Sequence, residues 1–253
     1  MVSGLARVFS SALGDAVWRA TELGRASGAT LVSGHAALDA ELPVGGWPVG
    51  AISEILQAHG EHHEWRLLLP ALRRAVDGAP ATDPVVLVGA PRVPFGPGLT
   101  AQGLDAKRLL WVLASATGER LWAAEQALHC ARAAAVLVWL PQVRCEPLRR
   151  LQMGAQTHGK LLFVMRPWQA AAESSPAALR VLVSTHPGSD ALQLQILKRR
   201  GPPQETALSL PARPARIAAL LASCAAQQRC DADGGGQFFQ ESGDALAGIA
   251  SAA

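Results

Sequence analysis

The segment ProValValLeuValGly (84–89) is a nearly continuous run of β-branched and aliphatic residues bounded by proline and glycine, the pattern of a strand buried on both faces. A strand with no polar face must lie between two other layers, so this run commits the chain to a sheet with helices packed on it. Its surroundings agree. ArgLeuLeuTrpValLeu (108–113), AlaAlaValLeuValTrpLeu (134–140) and LysLeuLeuPheValMetArg (160–166) read as further strands, and AlaIleSerGluIleLeu (51–56) as a shorter one. Segments 65–76, 119–131 and 145–157 read as helices, so strand and helix alternate as right-handed βαβ units require. ArgValLeuValSerThr (180–185) and LeuGlnLeuGlnIleLeuLysArgArg (192–200) flank the short loop HisProGlySerAsp and should run antiparallel, which makes the sheet mixed. Ala, Val, Ile and Leu dominate a 49% hydrophobic fraction that contains no Tyr, which suits an aliphatic core between helices and a mainly parallel sheet. The expected class is α/β.

At 253 residues the chain can bury one substantial core and carry tails. Residues 4–25 read as an amphipathic helix, with Leu5, Val8, Phe9, Leu13 and Val17 spaced by about three and four. Beyond ProAlaArgPro (211–214) one short helix is expected at 217–225. The Gly/Ser/Ala-rich end cannot bury enough surface to offset chain entropy, so disorder is expected after about Gln227. The organisation expected is a helix and linker at 1–30, a core at 31–210 and a low-complexity, mostly disordered tail at 211–253. No apolar run approaches the ~20 residues of a bilayer-spanning helix. Asp15 and Glu22 interrupt what a secretory apolar stretch would need, so a cytoplasmic protein with no membrane partner is expected. Cys130, Cys145, Cys224 and Cys230 form no CxxC pair, which argues against a zinc ribbon or a thioredoxin-type site and predicts two buried thiols and two in the tail.

Residues 33–54, SGHAALDAELPVGGWPVGAISE, read like the approach to a phosphate-binding loop, but IleLeuGlnAlaHisGlyGluHisHisGluTrp (55–65) is no such loop. A loop of that kind needs GxxxxGK[ST]: glycines let backbone N–H groups face the phosphates, Lys meets the β/γ charge, and Ser/Thr holds magnesium. Glu61 and Glu64 would instead set negative charge beside a triphosphate, and neither His62 nor His63 is a dependable cation at neutral pH. His59, His62 and His63 invite a metal reading, yet no fitting carboxylate or Cys set accompanies them, so an exposed polar loop without metal is expected.

The order of elements, with SGHAALDAELPVGGWPVGAISEIL, LLWVLASATGERLWAAEQAL, AAAVLVWLP, LLFVMRP and LQILKRRGPP, resembles the RecA recombinase core. The combination of GGWPxGAxxE, LWAAEQAL and ILKRRG is closer still to the ImuA family of RecA-like accessory proteins, over roughly residues 1–210. The resemblance implies a RecA-like three-layer core with a mixed, mainly parallel sheet and a C-terminal antiparallel part. In the family pattern Ser33, Gly34, Leu38, Asp39, Gly45, Gly46, Pro48 and Gly50 precede the phosphate loop, and here their expected task is to set up the first core strand. Gln57, His62, His63 and Glu64 fall where Gly, Gly, Lys and Ser/Thr would stand. The metal-side Asp expected after the third strand is replaced by Trp139 or Leu140, and AlaProArgValPro (90–94) supplies no catalytic acid. No catalytic residue and no cofactor are expected.

The function implied is a non-catalytic accessory protein of SOS-induced error-prone translesion synthesis, with an ImuB-type Y-family-like protein and an error-prone C-family DNA polymerase as partners. RecA and single-stranded DNA are further candidate partners, and the protein would join the nucleoid during DNA damage. Two alternatives stand beside it, a SulA-like cell-division inhibitor and a divergent DNA-stimulated ATPase. Charge adds an independent clue. Residues 1–143 hold 11 Lys/Arg against 12 Asp/Glu, residues 144–200 hold 9 against 3, and residues 201–253 hold 3 against 5. The excess in the middle segment makes Arg144, Arg149, Arg150, Arg166, Lys198, Arg199 and Arg200 candidates for phosphate-backbone or acidic-protein contacts. Among seven tryptophans, Trp168 and then Trp47 are the best candidates for an exposed stacking role, and Leu5, Val8, Phe9, Leu13 and Val17 for a partner-docking helix face.

Overall fold

The computed structural model describes residues 28–185, 191–204 and 206–211, together with Ser223. Contacts divide the chain into units Met1–Ala212 and Arg213–Ala253, and the sheet with its helices belongs to the first. The expected helix at 4–25 with its docking face, the helix at 217–225 and the tail beyond it lie outside the described residues, Ser223 apart.

A short ribbon and turn lead into the core. β1 (Thr30–Leu31) pairs antiparallel with β2 (Trp47–Pro48), and α1 (Ala36–Glu41) lies between them in sequence. The turn before α1 is tied by Ser33 N–H donating to Asp39 Oδ1 at 2.7 Å and His35 N–H donating to Ser33 Oγ at 3.0 Å. Gly34 is required there: its φ is +89°, and a Cβ would come within 2.4 Å of Pro70 Cβ. The Ser-Gly and Leu-Asp pairs singled out in the sequence thus pack α1 onto the next helix, with Leu38 fully buried.

His35 joins the same contact, its Nε2 lying 3.1 Å from the carbonyl oxygen of Leu67. Burial pushes its pKa below the ordinary 6.5, against the raising effects of the Leu67 carbonyl and Asp39, while Arg74 adds to the lowering. The unfolded chain therefore takes up a proton that the folded site resists. Stability from this group is complete above the unfolded pKa and is lost as pH falls below it. Chemical denaturation at pH 7.5 and pH 5 should show a smaller acid-side loss for His35→Gln than for the parent; equal losses would remove His35 as the cause.

The main sheet follows from the aliphatic runs. Its strands are β3 (Ala51–Gln57), β4 (Val85–Val88), β5 (Leu109–Val112), β6 (Ala135–Trp139), β7 (Leu161–Pro167), β8 (Leu179–Thr185), β9 (Ala191–Lys198) and β10 (Leu208–Pro211). Their order is β10-β9-β8-β3-β7-β6-β4-β5. β3 is parallel to both neighbours, β7 and β8, and β4, β5, β6 and β7 pair in parallel. β9 is antiparallel to β8, as the short loop after 185 predicts, and β10, which the sequence pattern does not predict, adds antiparallel to β9. The sheet is therefore mixed and mostly parallel.

Both faces are covered because side chains alternate through each strand. Ile55, Val85, Leu87, Leu137, Phe163 and Met165 point to one face, where α1, α2 (Glu64–Asp77) and α3 (Gly96–Ala101) contribute Leu38, Leu67, Leu72 and Leu99. Ile52, Val86, Val136, Val138, Leu162 and Val164 point to the other, under α4 (Thr117–His129) and α5 (Cys145–His158), which contribute Leu121, Leu128, Leu148 and Leu151. All four residues of β4 are buried, as the run at 84–89 requires. Observed boundaries differ from the expected ones by one or two residues, the usual scatter at fraying ends, while α1, α3 and β10 carry too few residues for a periodic signal.

Two expectations are corrected. Cys130 is exposed and Cys145 half-buried, because both stand at helix ends where the chain turns away from the core. Trp47 is fully buried, not an exposed stacking face: β2 sets it edge-on against Phe163, with ring centroids 5.3 Å apart at 88°.

Candidate functional site

The carboxyl end of β3 meets the amino end of α2 through residues 58–63, the strand–loop–helix arrangement in which α/β sheets bind phosphates. β3 is interior to the sheet, so the loop opens where ligands of open α/β sheets usually sit. The side chains close it on itself. Gln57 Oε1 accepts a hydrogen bond from His63 N–H at 3.1 Å, and Gln57 Nε2 donates to Glu64 Oε2 at 3.1 Å. His63 Nε2 lies 2.9 Å from Glu61 Oε2, and His62 Nδ1 lies 3.6 Å from Glu64 Oε1. A backbone donor that a phosphate would need is thus already taken, and Glu61 and Glu64 lie against the histidines.

The expected exposed polar loop holds at His59, which is exposed, and is corrected at His63, which is buried with Gln57 and Glu64 between strand end and helix start, while His62 is half-buried. Carboxylates do accompany the histidines after all, yet among the described residues no group of three or more His, Cys, Asp or Glu is arranged to hold a metal. The neighbouring strand ends are equally spent. Trp139, which ends β6, and Leu140 after it are buried, and Arg120 of α4 donates to the carbonyls of Trp139 and Ala114 at 3.0 Å each. Gly89, after β4, has φ +65° and would drive a Cβ into that guanidinium at 2.5 Å.

On the opposite face of β3 lies a buried ion cluster. Glu54 is fully buried and accepts from Arg180 Nε at 2.7 Å, with Arg166 Nη1 at 3.8 Å. Ser175 Oγ also donates to Glu54. Arg180 further donates to the carbonyls of Ala170, Ala171 and Glu173, and Arg166 to Val143 O and Glu173 Oε2. The cluster welds residues 168–178, which carry the chain from β7 to β8, onto the middle of the sheet. Sequence reading passed over Glu54 and Arg180. The signal was present: an acid inside a strand buried on both faces needs a cation within reach.

The basic residues divide between the two ends of the sheet instead of sharing one face. Arg144 opens α5, just beyond β6, and Trp168 follows β7, so both stand at the carboxyl end; Trp168 is 52% exposed. Arg149 is exposed on α5, and Arg150 is tied to Glu125 at 2.6 Å. Arg166, with its side chain 1% exposed, is a structural cation and no surface contact. β9 runs antiparallel, so Lys198, Arg199 and Arg200 lie toward the amino end. Lys198 donates to Ser175 O, and Arg199 donates to Pro202 O and pairs with Glu41 at 3.0 Å, whereas Arg200 lies open at the surface. The carboxyl end also exposes Phe95 and Leu113, and α4 exposes Trp122. Trp122 could have been found from the sequence, since the buried stripe Leu121, Ala124 and Leu128 leaves it off the core side.

Fold and site together define an α/β protein with a mostly parallel mixed sheet whose loop between β3 and α2 is closed by its own side chains. No protein-family model and no curated protein matches the chain. Among the described residues no helix is long and apolar enough to cross a membrane.

Proposed function

We propose that this chain is a RecA-like accessory protein without ATPase activity, serving SOS-induced error-prone translesion DNA synthesis. It would act as an adaptor for an ImuB-type Y-family-like protein and an error-prone C-family polymerase, with RecA as a further contact. The observation that carries the non-catalytic reading is the Gln57 clasp, in which the side chain at the first loop position occupies His63 N–H and holds the Glu64 carboxylate. A nucleotide would have to break both bonds and approach two acids. Binding surfaces do not depend on that site. Arg144, Arg149 and Trp168 are exposed toward the carboxyl end, where cationic and aromatic groups together suit single-stranded DNA or an acidic partner.

Two measurements test the reading. The thermal midpoint should not move in millimolar MgATP, since a ligand that binds only the folded chain would raise it; ATP turnover stimulated by DNA would overturn the non-catalytic assignment. Co-purification with the ImuB-type protein or with RecA should be seen under conditions where a control pair associates, and its absence for both would sink the adaptor role.

A further inference from the structure

At the amino end of β3, opposite the closed loop, the described residues enclose a cavity of about 250 Å³. Its walls are mostly apolar, from Val44, Pro48, Val49, Ala178 and Leu179, with backbone from several glycines. Two of its polar side chains are already engaged. Gln152 accepts from Ile52 N–H and donates to Gly50 O, and Thr30 Oγ1 donates to Val44 O. Gln156 and Arg200 remain at the rim, both exposed, and no Asp or Glu is among the described lining residues. Arg200 is the member of the Lys198–Arg200 triplet that the fold leaves over, since Lys198 and Arg199 are spent on carbonyls and Glu41.

We infer that this cavity is a binding site for a small organic anion with a compact apolar body, the body seated against Val44, Pro48, Val49 and Ala178 and the anionic group at Arg200 and Gln156. An apolar pocket with few polar groups at one end fixes a ligand's orientation by those groups. With a cation and no acid among the described residues at the rim, an anion is favoured over a neutral or cationic ligand of the same shape. The cavity is somewhat smaller than the roughly 300–1,000 Å³ of drug-sized sites, which limits the ligand to a short body. This site is independent of nucleotide and of the adaptor reading.

Octanoate, octanol and octylamine, titrated into the full chain by calorimetry, provide the test. Octanoate should bind with one site per chain, more tightly than octanol, and octylamine more weakly than either. Arg200→Gln should weaken octanoate about fivefold, the upper range for an exposed charge pair, and leave octanol unchanged. Gln156→Phe, at an exposed helix position, should keep the thermal midpoint and abolish binding by filling the mouth. Absence of octanoate binding, equal affinity for octanol, or unchanged binding in folded Gln156→Phe would each overturn the assignment.

Discussion

Replacing Glu54 by alanine is expected to cost about 3–5 kcal/mol, a large share of the stability of an ordinary domain. The size comes from what is left behind. Arg180 would lose its 2.7 Å carboxylate partner, Arg166 its fully buried counter-charge at 3.8 Å, and Ser175 its acceptor. An unpaired buried cation cannot regain water without opening the strap at 168–178. The exposed Arg149→Ala should by comparison stay within about 0.5 kcal/mol. Urea denaturation followed by circular dichroism gives both values. A Glu54→Ala loss below about 1 kcal/mol would mean that the strap carbonyls and Glu173 satisfy the two arginines alone. The same variant should release Trp168, seen as a change in its fluorescence quenching by iodide before global unfolding.

Trp47→Ala should cost about 3–5 kcal/mol as well, by a different mechanism. The indole is fully buried and packs edge-on against Phe163 on β7, so its removal leaves a void beneath the ribbon that leads into β3. Trp47→Phe should recover part of the loss. The single-stranded DNA binding proposed above, measured at a temperature where the variant is folded, should be unchanged, whereas Trp168→Ala should weaken it. A Trp47→Ala chain as stable as the parent would show that the ribbon does not depend on this contact.

The two tryptophans show how far local pattern reaches. Trp168 follows the end of β7 and precedes a polar segment, which is enough to place it outside. Trp47 sits in an equally turn-rich stretch, LeuProValGlyGlyTrpPro, and nothing in those residues says that β1 and β2 fold back to bury it. Burial of a single aromatic in a loop-like segment is decided by long-range pairing. The basic residues make the same point. Their clustering at 144–200 in the sequence is real, but an antiparallel β9 sends Lys198–Arg200 to the opposite end of the sheet from Arg144 and Trp168, and a parallel β7 puts Arg166 inside.

The sequence by itself determined the α/β class, the buried central strands, the antiparallel β8–β9 pair and the lack of phosphate-loop ligands after β3, because each rests on residue type and spacing within a short window. Only the tertiary structure decided that Gln57 clasps His63 and Glu64, that Glu54 draws Arg166 and Arg180 into the core, and that Arg200 meets a cavity at the amino end of the sheet. Those contacts join residues from separate elements, in one case 126 positions apart, and strand order and register are set by the packing of the whole sheet rather than by any one segment.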